Sequence, residues 1–174
     1  MNGPAAQSTF DLKALYEALD DRRRLRGMTW TEAAREINRF ITKGRPIATS
    51  TITGLKTKPV GEGDGILQML LWLDRAPESF VPGMQDVEAE RFRLREPEAG
   101  RVLRWDTRAL HAALNAKRRT RGLTWNDVAQ QIGGVTPRML TNLAKGGRTA
   151  LPGVMRIVAW LGQPAATLTR VTRR

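Results

Sequence analysis

The chain has 174 residues and a net charge of +12, with one histidine and no cysteine. These counts exclude disulfides and thiolate chemistry, and they leave few of the usual ligands for a metal centre. The start has no apolar run that resembles a signal peptide, and no stretch reaches membrane-spanning length. We therefore expect a cytoplasmic protein with no membrane association and no cofactor, and an enzyme is the least favoured class.

The positive charge is concentrated near the carboxyl end. Residues 1–80 carry 12 basic and 10 acidic side chains, residues 81–104 carry 5 and 5, and residues 105–174 carry 12 and 2. Such a surface can serve solubility alone, but a basic excess confined to one small region more often faces a polyanion.

The predicted elements come in two copies. Residues 10–37 align without a gap with residues 105–132 and match at 13 of 28 positions. The offset then falls from 95 to 88, because the first copy holds seven extra residues before Ile47. A period near 90 residues is too long for a solenoid and predicts two copies of one small domain. The expected parts are domain 1 at 10–80, a flexible linker or short hairpin at 81–104, and domain 2 at 105–169.

The first predicted helix of each copy starts after an aspartate and stops at a glycine. Asp11 and Asp106 are suitable N-caps, and apolar residues follow at the three-and-four spacing of a half-buried helix. Gly27 and Gly122 end the helices, since glycine adopts a positive φ at the least cost.

A short second helix then begins at a threonine in each copy. Thr29 and Thr124 have an acidic residue three positions on, as in a capping box. In the second copy a third helix follows, with Thr136 as its cap and Pro137 at its first position. A last, mostly apolar helix completes each copy. With no strand pattern, the sequence predicts an all-α fold of two tandem four- to five-helix domains.

Two short helices joined by a glycine-containing turn are typical of a helix-turn-helix motif. The second copy resembles the lambda-repressor-like family of the Cro/XRE type over residues 105–165. The matching positions are Ala129, Gly133, Val135, Leu140 and Leu143. One extra glycine in the turn, and a stretched turn "NRFITKGRP" in the first copy, depart from the family pattern.

The resemblance implies a third helix that enters the DNA major groove. Arg138 would contact guanine and Asn142 adenine, each with roughly 1–3 kcal/mol of discrimination, although either residue could simply be solvated. The base-reading residues that the resemblance implies are Pro137, Arg138, Thr141 and Asn142, with Thr49, Ser50 and Thr53 in domain 1.

Cations near the motif, together with a threonine at the N-terminus of the second helix, are candidates for phosphate contacts, which position a protein on DNA without specifying sequence. Some of them could instead complement the dipole of the first helix. The candidates are Lys117, Arg118, Arg119, Arg121, Thr124, Lys145 and Arg148 in domain 2, and Arg23, Arg24, Arg26 and Lys56 in domain 1.

These observations predict a sequence-specific regulator of transcription that binds double-stranded DNA. The linker spans at most about 80 Å, more than the ~34 Å between adjacent half-sites, so both domains could bind one duplex like a covalent dimer. Two alternatives stay open. One is an RNA-binding protein, and the other is a protein-interaction module, such as an antitoxin or anti-activator, with its partner on domain 1.

Overall fold

The computed structural model describes residues 9–84 and 89–173. The first eight residues, on which part of the signal-peptide prediction rests, and residues 85–88 of the predicted linker lie outside the described residues. The helices are α1 (Leu12–Leu25), α2 (Trp30–Ile37), α3 (Thr49–Thr53), α4 (Gly63–Leu73), α5 (Ala89–Phe92), α6 (Thr107–Thr120), α7 (Trp125–Ile132), α8 (Pro137–Asn142) and α9 (Gly153–Leu161). The strands are β1 (Gly61–Glu62), β2 (Arg101–Trp105), β3 (Ala150–Leu151) and β4 (Thr169–Arg173).

The prediction of an all-α fold is wrong, because two small antiparallel sheets accompany the helices. β1 pairs with β3, and β2 pairs with β4. Strands of two residues, such as β1 and β3, are too short to show the alternation that identifies a strand in a sequence. The sequence of β4, "TRVTR", is rich in β-branched residues, which favour strands, and this composition could have indicated a strand. The fold is mixed α/β and mostly helical.

The elements follow the sequence repeat, so we call residues 10–80 repeat 1 and residues 105–169 repeat 2. α1 and α6 have 14 residues each, and α2 and α7 have eight each. The predicted caps are confirmed. The carboxylates of Asp11 and Asp106 accept hydrogen bonds from the amides three residues on, at 2.9 and 3.0 Å. Thr29 and Thr124 complete capping boxes.

The core is one continuous apolar cluster that runs through both repeats. The inward leucines of α1, Leu15 and Leu19, are fully buried, as are their counterparts Leu110 and Leu114. Burial of each such side chain stabilises the fold by roughly 1.5–3 kcal/mol. α4 and α9 contribute many buried apolar residues to this core. Within the described part of the chain, no helix has the length and apolarity needed to cross a bilayer.

A local two-fold axis relates the repeats where β1 meets β3. Glu62 lies opposite Ala150 in the antiparallel ladder, and these two residues are repeat equivalents at the offset of 88. The amide of Gly63 also donates to the carbonyl of Thr149 at 2.8 Å. An antiparallel pair in which a residue faces its own equivalent is the geometry of an isologous contact, as in a symmetric dimer.

The segment that enters repeat 2 is docked on repeat 1 rather than loose. The backbone amide of Trp105 donates to Asp64 at 3.0 Å, and its indole donates to the carbonyl of Gly63 at 3.2 Å. Gln68 of α4 donates to the carbonyl of Leu103 at 2.9 Å. The expected hairpin does not form among the described residues of the linker, since the partner of β2 is β4 at the end of repeat 2.

A buried glutamate makes a further joint between the repeats. Glu78 follows α4 and is fully buried, and its carboxylate accepts a hydrogen bond from the amide of Ala165 at 2.5 Å. Burial raises the pKa of Glu78 above the ordinary value for glutamate. Ala165 is the repeat equivalent of Pro77, so this joint again brings corresponding segments together.

Candidate nucleic-acid interface

The candidate recognition helix of repeat 2 is α8. The hydroxyl of Thr136 caps it by accepting from the amide of Met139 at 3.2 Å, and Pro137 fills its first position, as predicted. Leu140 is fully buried, which orients the helix on the core. The opposite side is exposed and carries three of the predicted base-reading residues, namely Arg138, Thr141 and Asn142, while Pro137 is half-buried.

The corresponding helix of repeat 1, α3, is shorter and less well capped. Its N-cap is Ala48, which provides no side-chain cap. Ser50 is exposed, whereas Thr49 and Thr53 are half-buried and the hydroxyl of Thr53 donates to the carbonyl of Thr49 at 3.2 Å. The hydroxyl of Thr141 in α8 likewise donates to the carbonyl of Arg138 at 3.2 Å, so the helices differ mainly in that α8 presents Arg138 and Asn142 where α3 presents Ser50 and Gly54.

The stretched turn before α3 is closed by one asparagine. The side-chain amide of Asn38 donates to the carbonyls of Ala34 at 2.8 Å and Ile47 at 2.9 Å, while its oxygen accepts from the amide of Ile47 at 2.8 Å. These bonds join the end of α2 to the residue that precedes the cap of α3. The side chain of Asn38 thus holds together the two ends of the segment that contains the seven extra residues.

One arginine in each repeat serves the fold. Arg23 donates to Asp20 at 2.6 and 3.0 Å and to the carbonyl of Met28 at 2.8 Å, and its guanidinium lies 4.9 Å from the ring centre of Trp30. Arg118 repeats these contacts in repeat 2. It donates to Asn115, to the carbonyl of Leu123 at 2.9 Å, and lies 4.9 Å from the ring centre of Trp125.

Tryptophan stacking completes this arginine corner. Trp30 stacks on Tyr16 with ring centres 5.6 Å apart, and Trp125 stacks on His111 at 5.3 Å. In each repeat a structural corner between the first two helices is therefore formed by an arginine, the capping threonine and the tryptophan that follows it, namely Arg23, Thr29 and Trp30 in repeat 1 and Arg118, Thr124 and Trp125 in repeat 2. A phosphate role for Arg23 and Arg118 would compete with these contacts.

A second cation of α6, Lys117, binds the end of the last helix. Its ammonium donates to the carbonyls of Trp160 and Leu161 and lies 4.7 Å from the ring centre of Trp160. Arg22 makes the matching contacts with the carbonyl of Leu73 and the ring of Trp72. Desolvation lowers the pKa of Lys117, helped by the nearby charge of Arg121. These orphan carbonyls at a helix end attract cations.

The repeats differ in the acceptors that face these cations. In repeat 1, Asp20 binds Arg23 and also Arg24 at 2.9 Å, and Glu36 binds Arg26. Asp20 is replaced by Asn115 in repeat 2. The asparagine keeps the hydrogen bonds to the corner arginine but carries no charge.

Glu36 of repeat 1 is likewise replaced by an uncharged amide, Gln131, in repeat 2. Glu36 accepts from the indole of Trp72 at 2.8 Å, and in repeat 2 Gln131 accepts from the indole of Trp160 at 3.1 Å. The bonds from Trp72 and Arg26 lower the pKa of Glu36, which stays ionised in the native state. Repeat 1 thus neutralises its arginines, whereas the amides of repeat 2 leave theirs uncompensated.

Several predicted phosphate contacts of repeat 2 remain exposed. Arg119, Arg121, Lys145 and Arg148 are exposed, and the side chain of Arg119 has no hydrogen bond or ion pair with the part of the chain that the structure describes. The hydroxyl and amide of Thr124 are engaged by Asp127, and this pairing lowers the pKa of Asp127. In repeat 1, Arg24 and Arg26 are in ion pairs and Lys56 lies 5.9 Å from the ring centre of Tyr16.

Comparisons with protein-family models, with curated proteins and with solved structures give no match for this chain.

Proposed function

We propose that the protein is a sequence-specific regulator of transcription that binds double-stranded DNA in the cytoplasm through helix-turn-helix elements of lambda-repressor-like type. The observation that carries the proposal is the exposed side of α8. The side chains of Arg138 and Asn142 project there without partners among the described residues, and residues 105–174, which contain repeat 2, carry 12 basic and two acidic side chains. Arginine and asparagine are the residues that make paired hydrogen bonds to guanine and adenine.

The local two-fold axis supports binding of both repeats to one duplex. A two-fold rotation leaves the coordinate of an atom along the rotation axis unchanged. Helices that the axis relates therefore lie at the same end of that axis, on the same side of the molecule. α3 and α8 are such a pair. Because β1–β3 pairing and the docked β2 join the repeats, packing sets the spacing of the two helices. The length of a flexible linker therefore does not determine this spacing.

The two half-sites should be inverted but different in sequence. Arg138 corresponds to Ser50 and Asn142 to Gly54, so the strongest base-reading groups of α8 have no equivalent in α3. We expect a well-defined half-site for repeat 2 and a weakly defined one for repeat 1.

Selection from a random double-stranded DNA library at physiological salt, followed by sequencing, tests the proposal. Two inverted half-sites at a fixed spacing are the expected result, with the stronger preference at one of them. Retention of DNA without any enriched sequence would refute sequence-specific binding. Structured RNA should compete poorly with duplex DNA in the same assay, and preferential binding of RNA would favour the RNA-binding alternative.

Two pairs of variants locate the contacts. Arg119→Ala should weaken binding to all duplexes and reduce the salt slope by about one, whereas Arg24→Ala, its equivalent in repeat 1, should change the slope less because Asp20 already neutralises Arg24. Arg138→Ala should relax preference at one base pair, and Ser50→Ala should have a smaller effect. Equal effects within either pair would contradict the assignment.

One observation favours a second function for repeat 1. Arg23, Arg24 and Arg26 are in ion pairs with Asp20 and Glu36, so this repeat has little free positive charge for DNA. A single half-site in the selection, assigned to repeat 2 by Arg138→Ala, would indicate that repeat 1 binds a protein partner instead.

A further inference from the structure

The sheet formed by β2 and β4 has one covered edge and one open edge. In an antiparallel pair, residues that bond to the neighbouring strand alternate with residues whose N–H and C=O groups point away from it. On β2, the carbonyl of Leu103 accepts from the side chain of Gln68, and the amide of Trp105 donates to Asp64. These backbone groups of β2 therefore point away from β4, and α4 covers them.

The same alternation determines which backbone groups of β4 are free. Leu103 lies opposite Val171 in the ladder, so the N–H and C=O groups of Val171 and Arg173 also point away from the partner strand. The end of the ladder agrees, because the amide of Asp106 donates to the carbonyl of Leu168 at 2.9 Å, which places every second residue from Leu168 on the paired side. Among the described residues no further strand lies beside β4. β4 thus offers backbone donors and acceptors to a strand from outside.

The open edge is basic and has no acidic partners of its own. Arg170 and Arg173 are exposed, and their side chains have no hydrogen bond or ion pair with the described part of the chain. Across the ladder they lie opposite Arg104 and Arg101, each of which has a carboxylate at 3.9 Å. Like charges directly opposite each other in a sheet are destabilising, so an acidic neighbour on the open side would relieve this repulsion.

We propose that the open edge of β4 binds an extended acidic segment of a partner protein by strand addition. The backbone of the segment bonds to Val171 and Arg173, and two acidic residues three positions apart face Arg173 and Arg170. None of these residues is among those that we propose to contact DNA.

The positions of the two arginines favour a strand over the other candidates. Side chains alternate between the two faces of a strand, so Arg170 and Arg173 lie on opposite faces of the sheet. A strand beside β4 can reach both faces, whereas a DNA duplex lying on one face reaches only one of the two arginines. A second copy of β4 brings two more arginines and no acidic residue, so charge disfavours self-pairing.

Antiparallel addition gives the segment a definite register. The residue opposite Val171 exchanges both backbone hydrogen bonds with it, while the residues opposite Arg170 and Thr172 point their backbone groups away from β4. The peptide Glu-Val-Val-Glu-Thr, capped at both ends, places its acidic residues opposite Arg173 and Arg170. Its second valine then lies opposite Val171, and its first valine lies opposite Thr172.

Titration of this peptide into the isotope-labelled full chain, followed by NMR of the backbone amides, tests the proposal. The amide signal of Val171 should shift on binding. N-methylation of the second valine removes a hydrogen bond to β4 and should weaken binding at least about fivefold, the value of one such bond. N-methylation of the first valine, whose N–H points away from β4, should leave the affinity nearly unchanged. Attraction by charge alone does not distinguish these two peptides.

Three variants assign the binding to the edge of β4. Arg170→Ala and Arg173→Ala should each weaken peptide binding about two- to fivefold, the range of an exposed ion pair. Arg119→Ala removes the same charge elsewhere on repeat 2 and should leave peptide binding unchanged. All three side chains are exposed, so each variant should fold, which circular dichroism checks.

The proposal is overturned if the peptide does not bind at millimolar concentration or if both N-methylated peptides bind equally well. It is also overturned if Arg119→Ala weakens peptide binding as much as Arg173→Ala does. Loss of DNA affinity in Arg170→Ala and Arg173→Ala, without any peptide binding, would assign this edge to nucleic acid instead.

Discussion

The two repeats share the hydrogen bonds of the corner arginine and of the tryptophan indole in the last helix, but the acceptors of these bonds differ in charge. In repeat 1 the acceptors are Asp20 and Glu36, and in repeat 2 they are Asn115 and Gln131. Each exchange replaces a carboxylate with the amide of the same shape. The geometry is kept because an amide oxygen accepts the same hydrogen bonds, while the negative charge disappears.

This difference separates two properties of an arginine cluster. The corner arginine needs an acceptor to hold its position, and a neutral one suffices, as Asn115 shows for Arg118. A carboxylate in the same place also cancels the long-range field that would attract a polyanion. One or two such exchanges can therefore keep the hydrogen bonds that hold the fold and still change the net charge of a repeat.

The largest expected effect comes from breaking the joint between the repeats. A Cβ on Gly63 would lie 2.8 Å from the carbonyl oxygen of Thr149 and 2.8 Å from the Trp105 ring, so Gly63→Ala should lower the free energy of unfolding by about 1–3 kcal/mol. Gly153→Ala is the control, since Gly153 also begins a helix and an added Cβ there meets no atom within 4 Å. Urea unfolding measures the stability of both variants. Equal stability of the two would mean that the repeats are not tightly packed around Gly63.

The corner arginines come next. Arg118→Ala and Arg23→Ala should each lower the free energy of unfolding by about 1–2 kcal/mol, because a carbonyl and a tryptophan ring lose their cation. Their neighbour Arg119 is exposed, and Arg119→Ala should change stability by less than about 0.5 kcal/mol. Thermal unfolding of the three variants measures these changes in stability. If Arg118→Ala reduces only DNA affinity, the structural role of the corner is wrong.

An exchange of acceptors tests the charge difference directly. Asn115→Asp with Gln131→Glu gives repeat 2 the acceptors of repeat 1, and the slope of log affinity for DNA against log salt should fall by about two. Asp20→Asn with Glu36→Gln should raise the slope. Fluorescence anisotropy at several salt concentrations measures it, and circular dichroism checks that both pairs keep the fold. Unchanged slopes would show that these charges do not face DNA.

The smallest effect is a pH dependence at Glu78. Because burial raises the pKa of Glu78, the native carboxyl keeps its proton to a higher pH than the same carboxyl does in the unfolded chain. This contribution to stability is present below the ordinary carboxyl pKa and is lost as pH rises through the raised pKa. The melting temperature of the wild type should therefore fall more than that of Glu78→Gln over this window.

Thermal scans between about pH 4 and about pH 8 make this comparison. Asp64, whose pKa burial also raises, titrates in both proteins and cancels in the difference. Parallel curves for the two proteins would contradict a titrating Glu78.

Local signals in the sequence predicted the helices well. Asp11, Thr29 and Thr136 cap helices as expected, and Gly27 has the positive φ of a helix end. Such features depend on neighbours within a few residues, which a sequence displays directly.

The joints between the repeats depend on contacts distant in sequence. The pairing of Gly61 with Leu151 involves strands of two residues, and no pattern marks them. Adjacent arginines such as Arg118 and Arg119 also look alike in a sequence, although one is bound in the corner and the other is exposed. The spacing of Asp20 to Arg23, repeated as Asn115 to Arg118, was a signal that could have separated them.

The pairing of Glu62 with its own equivalent, Ala150, has an evolutionary consequence. It is the arrangement expected of a homodimer whose two subunits became one chain by gene duplication and fusion. In a homodimer, every substitution at the axis appears twice, so a change that suits one side must also suit the other. After fusion each side mutates alone, and an acidic residue opposite an alanine, as in Glu62 and Ala150, becomes accessible without a second, mirrored copy of the same change.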